Sequence, residues 1–100
     1  MLSVVYRQAA RRDIVRAAQA YEIERCGLAR RFVEEVARIE RHIIDAPALY
    51  QIVDGEIRRA VMRRFPFGLF YVEEADRIVV LACLDLRRDP LMLTDVLARR

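Results

Sequence analysis

The stretch that decides the fold is residues 58–90, RRAVMRRFPFGLFYVEEADRIVVLACLDLRRDP. It begins with four arginines within seven positions, continues through two apolar runs, and ends with a second basic pair before Asp89 and Pro90. Short apolar runs between turn residues are typical of strands buried in a sheet. Because arginines bracket these runs, the sequence predicts a sheet that presents guanidinium groups at its ends or on one open face. A surface of that kind suits an anionic partner.

The composition fits a small folded protein. Of 100 residues, 55% are hydrophobic, which is enough for one core, and we expect residues 1–100 to form a single domain. No apolar run reaches the roughly 20 residues that cross a bilayer, and the segment MLSVVYRQ lacks the apolar region of a signal peptide. We therefore expect a cytoplasmic protein without membrane contact. Two isolated cysteines, Cys26 and Cys83, do not form a disulfide framework or a zinc site, so no metal or cofactor is expected.

The basic residues are chemically uniform. All 18 of them are arginine, and the formal net charge is +3. The guanidinium group is planar and permanently charged, and it binds carboxylate or phosphate through two parallel hydrogen bonds. The chain consequently has no lysine that could transfer a proton or form a Schiff base.

The first half of the chain reads as a strand followed by two helices. Residues 2–6 (LSVVY) read as a short strand. Residues 8–25 and 28–44 have apolar side chains at helical spacing, and Gly27 separates the two segments. Pro47 ends this unit, so we expect a helical hairpin. The core positions predicted for the second helix are Phe32, Val36, Ile39 and Ile43.

The second half reads as extended segments followed by one helix. The segments are residues 50–53, 56–65, 67–73 and 77–86, with turns at Asp54-Gly55 and at residues 74–76. The last segment is apolar throughout, as expected of a central strand covered on both faces. Asp89 and Pro90 then suit the cap and the first position of a helix that ends near Ala98. The predicted fold is α+β, in the order β-α-α-β-β-β-α, with the helical hairpin on one face of a mostly antiparallel four-stranded sheet and a short C-terminal helix.

This order, together with several short motifs, resembles the ParE/RelE superfamily of small bacterial toxins from type II toxin–antitoxin modules. The resemblance extends from the first predicted strand to Pro90. It implies a RelE/ParE-like fold and a cognate ParD-like antitoxin whose acidic C-terminal segment holds the toxin inactive in a hetero-oligomer. DNA would be contacted only indirectly, through the antitoxin. The matching residues are Ala10-Arg11-Arg12-Asp13, Arg58-Arg59, Arg63-Arg64, Phe65-Pro66-Phe67-Gly68, Tyr71, residues 78–81 and Arg87-Arg88-Asp89-Pro90.

Two branches of the superfamily differ in target. The ParE branch binds and inhibits DNA gyrase, whereas the RelE branch cleaves messenger RNA on the ribosome. RNA cleavage by the 2′-hydroxyl requires a base, an acid and cations on the phosphate. If the chain were such an endoribonuclease, its site would be formed by Arg58, Arg63, Tyr71, Asp85 and Arg87.

The residues favour the branch that acts by binding. His42 is the only histidine and lies in the middle of a helix, and Asp85 stands where many members of the superfamily have a histidine. The aromatic residue that often follows Asp-Pro is also missing. We therefore expect a ParE-like gyrase inhibitor of the plasmid stabilisation type, with no catalytic residue. A RelE-like ribonuclease remains one alternative, and a member that binds antitoxin but is no longer toxic remains another.

The predicted partner-binding surface combines arginines with neighbouring apolar side chains. Arginines beside a hydrophobic strand suit a partner that has acidic groups and apolar anchors. Neighbouring strand residues point to opposite faces, so some of these arginines are expected to be solvated. The apolar residues of the last helix either cover the sheet or form part of the antitoxin site. The full set is Arg58, Arg59, Arg63, Arg64, Phe67, Tyr71, Arg87, Arg88, Leu91 and Met92.

Overall fold

The computed structural model describes residues 2–100. Its five strands form one sheet in the order β1-β5-β4-β3-β2, in which β1 is parallel to β5 and all other pairs are antiparallel. Within these residues, no helix is long and apolar enough to cross a membrane. The elements in chain order are β1 (Ser3–Tyr6), α1 (Gln8–Glu24), α2 (Leu28–Asp45), β2 (Gln51–Asp54), β3 (Ile57–Val61), β4 (Phe67–Glu73), β5 (Arg77–Asp85) and α3 (Pro90–Ala98).

The predicted class and the mostly antiparallel sheet are confirmed, but the predicted number of four strands is wrong. The fifth strand is β2, which pairs with β3 across the predicted turn at Asp54 and Gly55. Gly55 adopts a φ of 56°, a left-handed conformation that a residue without Cβ reaches at low cost. A tight turn of this kind brings the two flanking segments into register, so residues 51–54 join the sheet as an edge strand.

The helical hairpin covers one face of the sheet, as predicted. All four core positions predicted for α2 are buried, and α1 adds Ala10 and Ala17 to the same core. Gly27 breaks the chain between the two helices with a φ of 93°. The Glu22 carboxylate accepts hydrogen bonds from the N–H groups of Gly27 and Ala29, so a residue of α1 caps the first turn of α2.

Strand β5 contacts both layers of the core. A bulge interrupts the alternation of its side chains between the two faces of the sheet. Phe70 pairs with Ala82 and Tyr71 pairs with Val80, so Leu81 is an extra residue without a partner in β4. Leu81 and Ala82 therefore pack together on the α3 face, whereas Val80 packs on the hairpin face. Helix α3 begins as predicted, with the Asp89 carboxylate accepting a hydrogen bond from the N–H of Leu91 at 2.8 Å.

Strand β3 ends earlier than predicted. It stops at Val61 rather than continuing to Phe65, and the N–H of Met62 closes the hairpin on the carbonyl of Phe67 at 2.9 Å. The next N–H, that of Arg63, bonds to a side chain of α2 instead of a strand. Pro66 has no N–H to offer a ladder. Residues 63–66 consequently form a loop at the end of the sheet.

An ion pair between Asp13 and Arg100 closes the exposed edge of β5. Strand β1 ends at Tyr6, opposite Val80. Beyond that point, side chains from α1 and from the segment after α3 bond to the backbone groups of β5 that β1 does not reach. The Asp13 carboxylate accepts hydrogen bonds from the N–H of Cys83 at 3.0 Å and from both Nη atoms of Arg100 at 2.9 and 3.1 Å. Arg100 also donates to the carbonyl of Leu81 at 3.0 Å. One ion pair thus joins α1, β5 and the residues that follow α3.

Replacement of Asp13 tests this connection. We expect Asp13→Asn to lower the free energy of unfolding by roughly 2–3 kcal/mol, because donors in a mostly buried setting lose a charged acceptor. The measurement is urea unfolding followed by circular dichroism. Asp95→Asn is the matched control, since the Asp95–Arg99 pair is exposed and should contribute less than about 1 kcal/mol. Equal losses in the two variants would contradict the role assigned to Asp13.

Candidate functional site

Two basic pairs meet at one end of the sheet. Arg63 and Arg64 lie in the loop before β4, and Arg87 and Arg88 follow β5. Phe67 is the register partner of Asp85, and the N–H of Leu86 bonds to the carbonyl of Pro66 at 2.7 Å, so the two segments are adjacent. All four arginines are exposed. We call these four residues the arginine end of the sheet.

Glu35 holds the loop that contains Arg63 and Arg64. Its carboxylate accepts hydrogen bonds from Arg38 at 2.8 and 2.7 Å and from the backbone N–H of Arg63 at 2.8 Å. Because of the bonds from Arg38 and then from Arg63, the pKa of Glu35 is lowered from 4.5 to about 2. Glu35 is therefore a largely buried anchor for the loop, and its side chain is only 11% exposed.

Helix α2 adds further arginines to this surface. A groove of about 400 Å³ separates the exposed face of α2 from the loop, and Phe65 forms part of its wall. Arg31 and Arg41 are not among the predicted site residues. The available signal was the spacing of residues 31, 34, 38 and 41 by three and four positions, which places them on neighbouring parts of one helix face. The charged residues that line the groove are Arg31, Glu34, Glu35, Arg38, Arg41, Arg63 and Arg64.

Asp85 is bonded to the arginine end rather than free to accept a proton. Its carboxylate accepts hydrogen bonds from Nε and Nη2 of Arg87 at 3.0 and 2.7 Å and from the backbone N–H of the same residue at 2.9 Å. These bonds, led by those from the Arg87 side chain, lower the pKa of Asp85. A carboxylate with a lowered pKa is a weak base near neutral pH.

Tyr71 and Arg58 lie elsewhere on the sheet. The Tyr71 ring is fully buried, its hydroxyl donates to the carbonyl of Pro47 at 2.6 Å, and burial raises its pKa to about 12. Arg58 donates to the carbonyls of Ala48 and Tyr50 at 3.2 and 2.6 Å. Both side chains thus hold the connection between α2 and β2. Tyr71 is four residues from Phe67 along β4, which corresponds to roughly 13 Å from the arginine end.

The remaining predicted residues occupy three different settings. Phe67 is half-buried and packs edge-on against Phe32, with ring centroids 5.2 Å apart. Arg59 lies on the opposite face of the sheet, near α3. Leu91 and Met92 are 79% and 54% exposed on α3. The structure therefore brings together five of the ten predicted partner-binding residues, namely the four of the arginine end and Phe67, which pairs with Asp85 there.

A second cleft, of about 330 Å³, lies between α1, β5 and the end of α3, and Arg88 forms part of its rim. Cys83 lines it, but burial followed by the charge of Asp13 raises the pKa of its thiol to about 12. The thiol is therefore protonated at neutral pH and is not a nucleophile. Tyr21 lies near Arg87 and Asp85, and burial raises its pKa too. Among residues 2–100, no group of three metal-ligating side chains could hold a metal ion.

Comparison with solved structures shows where this fold has been seen. A chain of the chromosomal ParDE TA system from P. aeruginosa matches with a TM-score of 0.63, covering 86% of this chain and 97% of that one. The sequences are 14% identical, so the likeness concerns the fold alone. No family profile and no curated protein matches the sequence. The ParE/RelE-like fold implied by the order of the motifs is confirmed.

Glu35 allows a test of how the loop at the arginine end is held. Its pKa is lowered in the folded state, so its contribution to stability is present above about pH 4.5 and is lost as the pH falls toward 2. We expect Glu35→Gln to lower the free energy of unfolding by about 1–3 kcal/mol at pH 7, with a smaller difference from wild type at pH 2. Urea titrations at a series of pH values measure both quantities.

The control for this prediction is Glu34→Gln. Glu34 pairs with Arg30 on the surface, where their side chains are 64% and 86% exposed. We expect its pH profile to follow that of wild type. A Glu35→Gln profile parallel to wild type from pH 7 to pH 2 would contradict the assignment.

Proposed function

We propose that the chain is the toxin of a type II toxin–antitoxin module, that it acts by binding DNA gyrase, and that a ParD-like antitoxin neutralises it. The observation that supports this proposal is the chemistry of the arginine end. Arg63, Arg64 and Arg88 form no salt bridge with any residue from 2 to 100, so their charges are available to a partner. The fold it shares with a chain of a ParDE TA system supports the same class.

The candidate bases support binding rather than catalysis. Asp85 is bonded to Arg87, and the hydroxyl of Tyr71 is bonded to the carbonyl of Pro47. Tyr71 lies roughly 13 Å from the arginine end along the sheet. A nuclease needs its base and its phosphate-binding cations around the same phosphate. A docking surface needs only exposed, oriented charges and apolar neighbours. The proposed protein is therefore a non-enzymatic toxin.

The proposed partner follows from the same charges. Exposed guanidinium groups suit the acidic C-terminal segment of an antitoxin. Toxin and antitoxin would form a hetero-oligomer, in which the antitoxin and not this chain contacts DNA. We propose that residues 1–100 form one toxin domain, that the module is of the plasmid stabilisation type and that it acts in the cytoplasm.

A RelE-like ribonuclease is the second candidate, because cations gather at one sheet end and Tyr21 lies near Arg87 there. Primer extension on translated messenger RNA separates the two functions. We expect no codon-dependent cuts with the wild-type chain. Cuts that disappear in Tyr71→Phe or Asp85→Asn would establish the nuclease instead. A chain without effect on messenger RNA or gyrase, but with antitoxin binding, would be a non-toxic member.

The gyrase proposal predicts the effect of removing charge from the arginine end. We expect the wild-type chain to inhibit supercoiling by purified DNA gyrase. The double variant Arg64→Gln/Arg88→Gln should require at least about tenfold more protein for the same inhibition, because two charge-assisted contacts of more than about 1 kcal/mol each together exceed the roughly 1.4 kcal/mol of a tenfold change. Arg30→Gln/Arg99→Gln removes the same charge from exposed positions on α2 and directly after α3, and it should inhibit as wild type does. No inhibition by wild type, or equal loss in both variants, would contradict the proposal.

A further inference from the structure

Arg59 has a buried donor without a partner. Its Nε atom is inaccessible to solvent, and it is the single buried side-chain nitrogen or oxygen atom in residues 2–100 that lacks a hydrogen-bond partner. Its guanidinium group also forms no salt bridge within this part of the chain. Buried polar groups are nearly always paired in folded proteins, and an unpaired one requires an explanation. Because solvent does not reach Nε, an acceptor from outside satisfies this donor only after the Arg59 side chain shifts toward it.

The backbone of β4 keeps the Arg59 stem in place. A Cβ atom on Gly68 would lie 3.3 Å from Cγ of Arg59 and 3.3 Å from Cδ2 of Leu86. The arginine stem therefore runs across the one position of β4 that has no side chain. Phe70 is the register partner of Arg59 and lies beside it on the same face. The stem of Arg59 thus lies close against β4.

The cleft around Arg59 has room for a small group. It measures about 320 Å³ and lies between α3 and strands β2 and β3. Its walls are apolar and polar in about equal measure: Phe70, Leu93 and Leu97 supply apolar surface, and Gln51, Asp54 and Thr94 supply polar atoms. It has one cation, Arg59, and no second one lines it among the described residues. A cleft with a single cation suits one monovalent anionic group attached to an apolar chain.

The neighbouring edge of the sheet favours an extended ligand. Strand β2 lies at the end of the strand order, so its outer backbone groups can pair with another strand. Gln51 is the register partner of Arg59, and alternate side chains of an added strand would point to that same face. Leu49 and Ile52 are 79% and 50% exposed at this edge and offer apolar contacts to such a segment.

We propose that Arg59 binds a carboxylate side chain of an extended acidic segment that pairs with the edge of β2. A carboxylate accepts two parallel hydrogen bonds from a guanidinium group. Nucleic acid is less suitable, because successive phosphates require a row of cations. The negative charge of Asp54 beside the cleft opposes any anion, and it opposes a row of phosphates more than a single carboxylate. The inference rests on the proposed function in one respect, namely that the segment belongs to the antitoxin.

The test compares two blocked pentapeptides, Ser-Val-Glu-Val-Ser and Ser-Val-Gln-Val-Ser, by titration calorimetry with the purified chain. We expect the glutamate peptide to bind at least about tenfold more tightly, and we expect Arg59→Met to abolish this difference. Arg59→Met keeps the apolar stem and removes only the charge and the donors. Arg77→Met is the control, since Arg77 pairs with Glu74 at the start of β5 and should leave the difference intact.

Thermal unfolding distinguishes a binding role from a structural one. Since Nε of Arg59 has no partner, Arg59→Met should unfold at the wild-type temperature or above it. A clear drop in that temperature would show that Arg59 stabilises the fold, and the proposal would fail. It would also fail if the two peptides bound equally, if neither bound, or if the oligonucleotide (dT)10 bound through Arg59 instead. None of these measurements involves gyrase, so their outcome is independent of the supercoiling assay.

Discussion

The rest of the structure depends on strand β5 being apolar on both faces. Residues 78–84 are all buried, so one layer must cover each face of the strand. The helical hairpin provides one layer, and α3 provides the other. Where β1 ends, Asp13 and Arg100 supply the hydrogen bonds that a neighbouring strand would have made. With both faces and this edge occupied, charged side chains are accommodated at the ends of the sheet and around its rim.

That constraint divides the arginines of residues 58–90 into separate environments. Arg58 is bonded to backbone carbonyls of the α2–β2 connection, and Arg59 turns to the opposite face beneath α3. The four residues of the arginine end remain at the surface. The arginines of this stretch thus comprise a structural arginine, a cation in a cleft and a group of exposed cations. A catalytic site that used all of them together is incompatible with this arrangement.

The sequence predicted most of the fold because local patterns decide it. The apolar spacing of α2, the turn at Asp54-Gly55 and the cap at Asp89 each depend on residues within one element or turn. The bonds that shape the site connect distant residues instead. Glu35 bonds to Arg63 across 28 positions, and Tyr71 bonds to Pro47 across 24. Periodicity indicates which face a residue occupies, but it does not identify the partner there. The bulge at Leu81, which places two successive residues on one face, could not be predicted either, because it depends on the pairing of β5 with β4.

The arginine end is, as we propose, a surface for docking another protein. Hydrogen–deuterium exchange of the purified chain, with and without DNA gyrase, tests this directly. We expect slower exchange of the amides in residues 62–66 and 86–89 when gyrase is added, because these segments contain or flank the four arginines. Unchanged exchange in both segments at saturating gyrase would contradict it.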